Sequence, residues 1–107
     1  MVIGTPGGST IFTSVFQGIV NVIDNKMSAQ DSVSASRFHH QLLPPDLITT
    51  SISVPMSNKT KTTLETRGYR VEPHAWEFGD LQLIESHLGE TRAASDPRGI
   101  GVSGVIE

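Results

Sequence analysis

Apolar residues recur every three or four positions over 11–23, and this spacing predicts an amphipathic helix. The stripe is broad, which predicts burial on more than one side of the helix. A hydroxyl of Ser9 or Thr10 can cap the start by accepting a free first-turn N–H, and the polar run 24–26 ends the helix. The stripe consists of Phe12, Val15, Phe16, Ile19, Val20 and Ile23, widened by Ile11 and Val22.

Two further helices are predicted from their end signals. A capping-box pattern opens a short helix over about 28–36, in which Val33 faces inward. A third helix is predicted over about 57–67, and Gly68 directly after it is the expected left-handed residue at a helix C terminus. Leu64 is the only strong apolar anchor of this third helix.

Extended segments separate these helices. Val2 and Ile3 indicate the end of a buried strand. Segment 37–46 is irregular or extended, because its two adjacent prolines stop any helix. "LITTSISV" over 47–54 predicts one strand, with Ile48, Ile52 and Val54 on one face.

After the third helix the pattern becomes a strand meander. "YRVEPHAWEF" is extended, with Pro73 favouring an edge or a bulge, and "LQLIESH" leads through a hairpin turn at Leu88 and Gly89 into "ETRAAS". "SDPRG" is a turn with Pro97 in its second position. The Gly-rich segment 99–107 leaves two alternatives open, a flexible tail or a last strand.

Strands and helices therefore lie in blocks, and the closing hairpin is antiparallel. This order favours an α+β layer with about three helices over a doubly wound sheet. The 107 residues suit a single domain or part of one over 1–107. Because the sequence starts inside a strand-like segment, we interpret it as a cut through a larger protein.

Composition narrows the function classes. The chain is 36% hydrophobic and 18% charged, as in globular proteins, and its net charge of −3 with no Lys/Arg run argues against nucleic acid as a partner. The absence of cysteine excludes disulfides and thiolate metal sites, but it leaves the compartment open. The start resembles no signal peptide, and the longest apolar stretch is too short and too polar to span a bilayer.

The strongest candidate for a functional site is the glycine turn "GTPGGST" at 4–10. A turn before a helix presents unpaired N–H groups and the positive end of the helix dipole, which suits a phosphate, a carboxylate or an oxyanion. It is not a nucleotide-binding P-loop, because the required lysine is missing. On pattern alone, an ordinary structural turn is an equally good interpretation.

The histidines predict neither a metal site nor a catalytic one. Adjacent His39 and His40 point in different directions, and His74 and His87 lack metal-ligand spacing. We expect Arg37 and the two adjacent histidines to hydrogen-bond loop carbonyls instead.

Other polar residues offer little more. Ser9, His39 and Asp96 have the residue types of a catalytic triad, but most chains of this size contain such a combination by chance, so it does not predict a site. Asp96 is expected to bond N–H groups of its own turn, and Arg98 to pair with a nearby carboxylate.

Three stretches together resemble the C-terminal part of the γ-glutamyltranspeptidases. They occur in the family's order and at similar spacing, and they cover most of residues 2–98. No single piece is decisive, but the ordered set is fairly specific. The stretches are "VIGTPGGSTIFTSVFQGIVNVIDNKMSAQDSVSASRFHHQLLP", "LETRGYRV" and "ASDPR".

This resemblance implies the αββα fold of N-terminal-nucleophile hydrolases, present here in part. In the family, a precursor cuts itself into large and small subunits. The new N-terminal Thr attacks a γ-glutamyl carbonyl, and the acyl group passes to water or an amino acid. The resemblance implies that Gly7 and Gly8 donate N–H groups to the oxyanion and that Ser9 contacts the substrate. It implies no cofactor and no metal.

The departures from the family are informative. The family's nucleophile lies upstream in a T-T-H-type segment, whereas the two threonines at 49–50 are internal. The segments that hold the substrate's amino and carboxylate groups are absent as well. Four positions differ within the matched region: Thr10 for the usual Arg, Ser36 for Pro, Leu42 for Trp, and Pro45 for an acidic residue.

Two hypotheses remain. The first is a C-terminal piece of a γ-glutamyl-transfer enzyme that acts on glutathione-type substrates, partnered by the rest of its small subunit and by the large subunit, and inactive alone. The alternative is a stand-alone, non-catalytic module that binds a small anion at 4–10 or oligomerises through an exposed face.

Overall fold

The computed structural model describes residues 1–106 and divides the chain into two compact units. The first unit comprises Met1–Ala35 and the segment from Gly79 onward, and the second is Ser36–Phe78. Glu107, the end of the predicted flexible tail, lies outside the described residues. The helices are α1 Ile11–Ile23, α2 Ala29–Ser34 and α3 Asn58–Thr66. The strands are β1 Val2–Gly4, β2 Phe38–His40, β3 Leu47–Thr50, β4 Arg70–Pro73, β5 Gln82–His87 and β6 Glu90–Ser95.

The first unit is an antiparallel sheet in the order β1-β5-β6, covered on one face by α1 and α2. Ile3, Leu83 and Ala94 are neighbours across the three strands, so their side chains share the covered face. They pack with Val33 of α2 and Leu81 to form the hydrophobic core. Val2 is exposed because it alternates to the opposite face, so the prediction of a buried strand end is wrong for this residue.

α1 buries only part of the predicted stripe, in which Val15 and Val22 are partly buried and pack against the core. The fully buried positions are Ser14 and Gly18, whereas Phe12 and Phe16 are each 65% exposed. The helix approaches the sheet most closely at Gly18, where a Cβ would stand 2.6 Å from a methyl carbon of Ile3. The expectation that the whole apolar stripe is buried is therefore wrong in this chain.

Two helix ends follow the predicted capping signals. The Ser28 hydroxyl accepts from the Asp31 N–H at 3.1 Å, and Val33 is fully buried in α2. Gly68, the second predicted signal, follows α3 with φ +99°, and the Ser57 hydroxyl caps the start of that helix without having been predicted to do so. Both predictions are confirmed, although α2 ends two residues earlier than expected.

The second unit is a sheet in the order β2-β3-β4. β2 pairs with β3 antiparallel, but β3 pairs with β4 parallel, and α3 provides the crossover that a parallel pair requires. β4 is an edge strand that ends at Pro73, as the proline predicted. The α+β class is confirmed, with this one parallel pair among otherwise antiparallel strands.

β3 is shorter than predicted and ends at Thr50. The Glu77 carboxylate accepts from the Ser51 hydroxyl and from the Ser53 N–H, each at 2.7 Å, and so holds the chain in a bend. Ile52 is consequently exposed, and the expectation that it shares a buried face with Ile48 is wrong.

The closing hairpin is confirmed. Leu88 and Gly89 have φ +51° and +78°, which fits a tight turn between antiparallel strands. The Gly99 N–H donates to the Asp96 carbonyl at 3.1 Å and closes the predicted "SDPRG" turn. Residues 101–106 form no strand, and the flexibility of the tail stays a prediction. Among residues 1–106, no helix is long and apolar enough to cross a membrane.

Candidate functional site

The glycine turn connects β1 to α1 and has a backbone that favours glycine. Gly7 has φ +140° and Gly8 has φ +58°. A Cβ on Gly7 would overlap the Thr10 hydroxyl, whereas a Cβ on Gly8 would meet open space. Gly7 is thus required for both space and conformation, and Gly8 for conformation alone.

A short 3₁₀ turn, Gly8–Thr10, precedes α1. The predicted hydroxyl cap of α1 is absent, because the Thr10 hydroxyl donates backwards to the Gly7 carbonyl at 2.8 Å. Ser9 is exposed in the same turn. The expectation that Ser9 or Thr10 caps the helix is therefore wrong.

Gly7 and Gly8 are exposed, and within residues 1–106 their N–H groups donate to no acceptor. Both groups precede the N terminus of α1, where the helix dipole is positive. The turn therefore presents two adjacent donors that an incoming anion can accept from.

The carbonyls of the same turn are held from within the first unit. The Thr5 hydroxyl donates to the Pro6 carbonyl at 2.9 Å and accepts from the Asp80 N–H at 2.7 Å. The Gly7 carbonyl accepts from both the hydroxyl and the N–H of Thr10, at 2.8 Å and 3.2 Å. Neither contact is predicted from the sequence, although a threonine on each side of "PGGS" is the available signal.

Asp96 and Arg98 form a buried ion pair, 3.0 Å apart, with side chains 0% and 2% exposed. The Asp96 carboxylate also accepts from the N–H groups of Leu81 and Arg98, at 3.1 Å and 3.0 Å. The Arg98 guanidinium donates to the carbonyls of Val33 and Ala35, where α2 ends. The predictions for both residues are confirmed, and the pair connects β6 to α2.

The predicted carbonyl partner is confirmed for Arg37, which donates to the Phe78 carbonyl at 3.3 Å. The buried His39 ring has its Nε2 beside the amide oxygen of Gln41. His40 accepts from the Leu42 N–H at 3.0 Å, so the expected bond to a carbonyl is wrong for this residue.

His74 lies beside His39 in the second unit. Its Nδ1 is 2.8 Å from the Thr49 hydroxyl, and the two histidine ring centres are 6.1 Å apart. In the described part of the chain, no three His, Cys, Asp or Glu side chains come together as metal ligands. The contacts that His39 and His74 make are therefore structural hydrogen bonds within the second unit.

We expect the second unit to lose stability as the pH falls below the ordinary histidine value. Burial lowers the pKa of His74 below 6.5, the nearby His39 ring lowers it further, and the Glu77 carboxylate opposes both. The unfolded chain then binds more protons than the folded chain below about pH 6.5, so stability rises with pH there. Urea unfolding at pH 7.5 and 5.5 measures this difference.

The matched comparison uses two histidine variants. His74→Gln should reduce the pH dependence of the unfolding free energy. His87→Gln removes a histidine from the first unit and should leave that pH dependence unchanged. An unchanged pH dependence in His74→Gln would contradict the assignment to His74.

Comparison with solved structures shows that the fold is part of the N-terminal-nucleophile hydrolase fold. A γ-glutamyltranspeptidase from Pseudomonas nitroreducens, complexed with L-DON, superposes with a TM-score of 0.91 at 44% identity. That comparison covers 99% of this chain and 55% of the solved chain.

The chain belongs to the γ-glutamyltranspeptidase family, whose model matches residues 1–106. It is 43% identical over 107 residues to a glutathione hydrolase proenzyme of Pseudomonas aeruginosa, and 36% identical over 100 residues to one of Escherichia coli. It spans 19% of the first relative's length and 17% of the second's.

Proposed function

We propose that this chain is part of a γ-glutamyl-transfer enzyme and that Gly7 and Gly8 donate to its oxyanion. The observation that carries this proposal is the pair of exposed N–H groups that lack acceptors within residues 1–106 and precede α1. Family membership supplies the reaction class, and the turn supplies the group that such a reaction needs.

Attack on a γ-glutamyl amide moves negative charge onto the carbonyl oxygen. Donors that already point at this oxygen stabilise the transition state without reorganising, and they act best away from water. In the proposed reaction the amine leaves, and the γ-glutamyl group passes from the nucleophile to water or to an amino acid. Glutathione-type compounds are the proposed donors, in keeping with the names of the curated relatives. Ser9 is proposed as a substrate contact, because it is exposed beside Gly8.

The nucleophile is proposed to come from another segment of the protein. A threonine nucleophile of this class is activated by its own free α-amine, which an internal residue lacks. Thr49 and Thr50 lie inside β3, and the Thr49 hydroxyl already contacts the His39 carbonyl and the His74 ring. The partners of this chain are therefore proposed to be the rest of the small subunit and the large subunit.

We expect the isolated 107-residue chain to show no turnover of a chromogenic γ-glutamyl anilide, because oxyanion donors without a nucleophile cannot form an acyl-enzyme. Release of the anilide, followed by absorbance, measures this. If the purified chain turns the anilide over and Gly8→Val abolishes that turnover, the prediction is contradicted.

A chimera tests the positive half of the proposal. This chain would replace the matched segment of the Pseudomonas aeruginosa proenzyme, to which it is 43% identical. We expect the chimera to process itself and to hydrolyse the anilide. A processed but inactive chimera would contradict the proposed role of this chain.

The exposed side chains of Phe12 and Phe16 support the alternative, a stand-alone module that oligomerises. Sedimentation of the isolated chain distinguishes the two functions. A stable oligomer that Phe12→Ser and Phe16→Ser dissociate, together with an inactive chimera, would favour the module.

A further inference from the structure

The two proposed donor N–H groups have a shared structural feature. The Gly7 N–H belongs to the same peptide unit as the Pro6 carbonyl, and the Gly8 N–H to the same unit as the Gly7 carbonyl. Each of these carbonyls accepts a hydrogen bond from a threonine hydroxyl, Thr5 in the first case and Thr10 in the second.

A peptide unit is planar, and in the trans form its C=O and N–H point in opposite directions. Fixing the carbonyl therefore fixes the direction of the N–H on the other side of the plane. This control matters most next to glycine, since glycine restricts rotation of the neighbouring peptide units less than any other residue.

Thr10 is well placed to hold its peptide unit. It is only 4% exposed, and its N–H reinforces its hydroxyl by donating to the same Gly7 carbonyl at 3.2 Å. Its own carbonyl accepts from the Thr13 hydroxyl at 3.2 Å, inside the first turn of α1. The direction of the Gly8 N–H is thereby tied to the helix.

Thr5 holds the other peptide unit, the one between Pro6 and Gly7, from the side of the sheet. Its hydroxyl donates to Pro6 and accepts the Asp80 N–H at 2.7 Å, just before β5 begins. The direction of the Gly7 N–H is thereby tied to the segment that enters the core strand.

We propose that Thr5 and Thr10 are positioning residues that aim the Gly7 and Gly8 N–H groups at the substrate oxygen. The inference rests on the proposed function, because it takes these two groups as the oxyanion donors. In this role the two threonine side chains act only through the peptide units that they hold, not by touching the reacting atoms. Their loss should misdirect a donor that acts in the transition state, and should change ground-state substrate binding little.

The kinetic test uses the chimera with Thr10→Val, which keeps the shape and removes the hydroxyl, and Thr10→Ser, which keeps the hydroxyl. We expect kcat to fall by about 10-fold or more in Thr10→Val, with KM within about 2-fold, because removing an oxyanion donor outright costs about 10²–10³ in kcat. Thr10→Ser should restore most of the rate. The pair Thr5→Val and Thr5→Ser should behave likewise.

A second measurement needs neither self-processing nor turnover. In the ¹⁵N spectrum of the 107-residue chain, Thr10→Val should broaden or shift the Gly8 amide signal through peptide-plane exchange, and Thr5→Val should do the same to Gly7. The serine variants should give sharp signals near the original positions.

The outcomes separate the two proposals. If Gly8→Val leaves the chimera fully active, the oxyanion assignment fails, whatever the threonines do. If Gly8→Val inactivates the chimera but both valine variants keep kcat and sharp glycine signals, the positioning role is overturned and the oxyanion assignment stands. A loss of kcat that serine does not restore would also overturn the positioning role.

Discussion

Gly8→Val in the chimeric proenzyme is expected to lower kcat by about 10²–10³, the cost of losing one oxyanion donor. Gly8 has φ +58°, a conformation that a β-branched residue rarely adopts. A Cβ there meets nothing within 4 Å, so the effect comes from the backbone and not from a clash. The valine forces φ to change, which turns the Gly8 N–H away from the substrate. Anilide release by the processed chimera measures the loss.

Gly4→Val is the matched control for this prediction. Gly4 belongs to the same segment, its φ is not positive, and a Cβ there also meets nothing within 4 Å. The control should therefore keep kcat within about 2-fold of the parent, given the small cost of exposed substitutions. Equal activity of the two variants would remove Gly8 from the oxyanion site.

The elements that could be predicted well have local causes. The Ser28 hydroxyl caps the helix that starts one residue later, and Gly68 ends α3 with a left-handed backbone. The hairpin at Leu88 and Gly89 is likewise set by residues next to each other in sequence. Such signals need no knowledge of distant contacts.

The predictions from sequence are wrong where a residue far away in the sequence determines the local structure. β3 ends early because Glu77, 26 positions after Ser51, holds the bend that follows the strand. α1 buries Gly18 and leaves Phe12 and Phe16 exposed, because the helix approaches Ile3 so closely that a Cβ on Gly18 would be 2.6 Å from its methyl carbon. Periodicity counts large apolar residues and cannot register close approach through a small one.

The candidate site divides in the same way. The local pattern predicts the turn at Gly7 and Gly8, and the family resemblance implies its role as an oxyanion site. The threonines that hold its carbonyls are not predicted from the sequence, because the direction of the Thr10 hydroxyl depends on the backbone of the 3₁₀ turn. Thr10 was expected to cap α1, and it instead orients the peptide unit that precedes the helix.

The second large effect expected is on stability, for Asp96→Ala in the first unit. This change leaves the Arg98 guanidinium buried without its carboxylate, and it removes the acceptor of the Leu81 N–H. Breaking a buried pair from one side costs about 3–5 kcal/mol of unfolding free energy, because the remaining charge stays uncompensated. The total unfolding free energy of native proteins is only about 5–15 kcal/mol. The cooperative unfolding transition should therefore move to a much lower urea concentration.

Glu90→Ala is the control that makes this result interpretable. Glu90 also pairs with an arginine, Arg92, at 2.9 Å, but the two side chains are 68% and 55% exposed. Solvent screens such a pair, and its loss should change the unfolding free energy by about 0–1 kcal/mol. Urea midpoints of the two variants, followed by circular dichroism, therefore separate burial from simple loss of an ion pair. Equal midpoints would show that the Asp96–Arg98 pair does not hold β6 to α2.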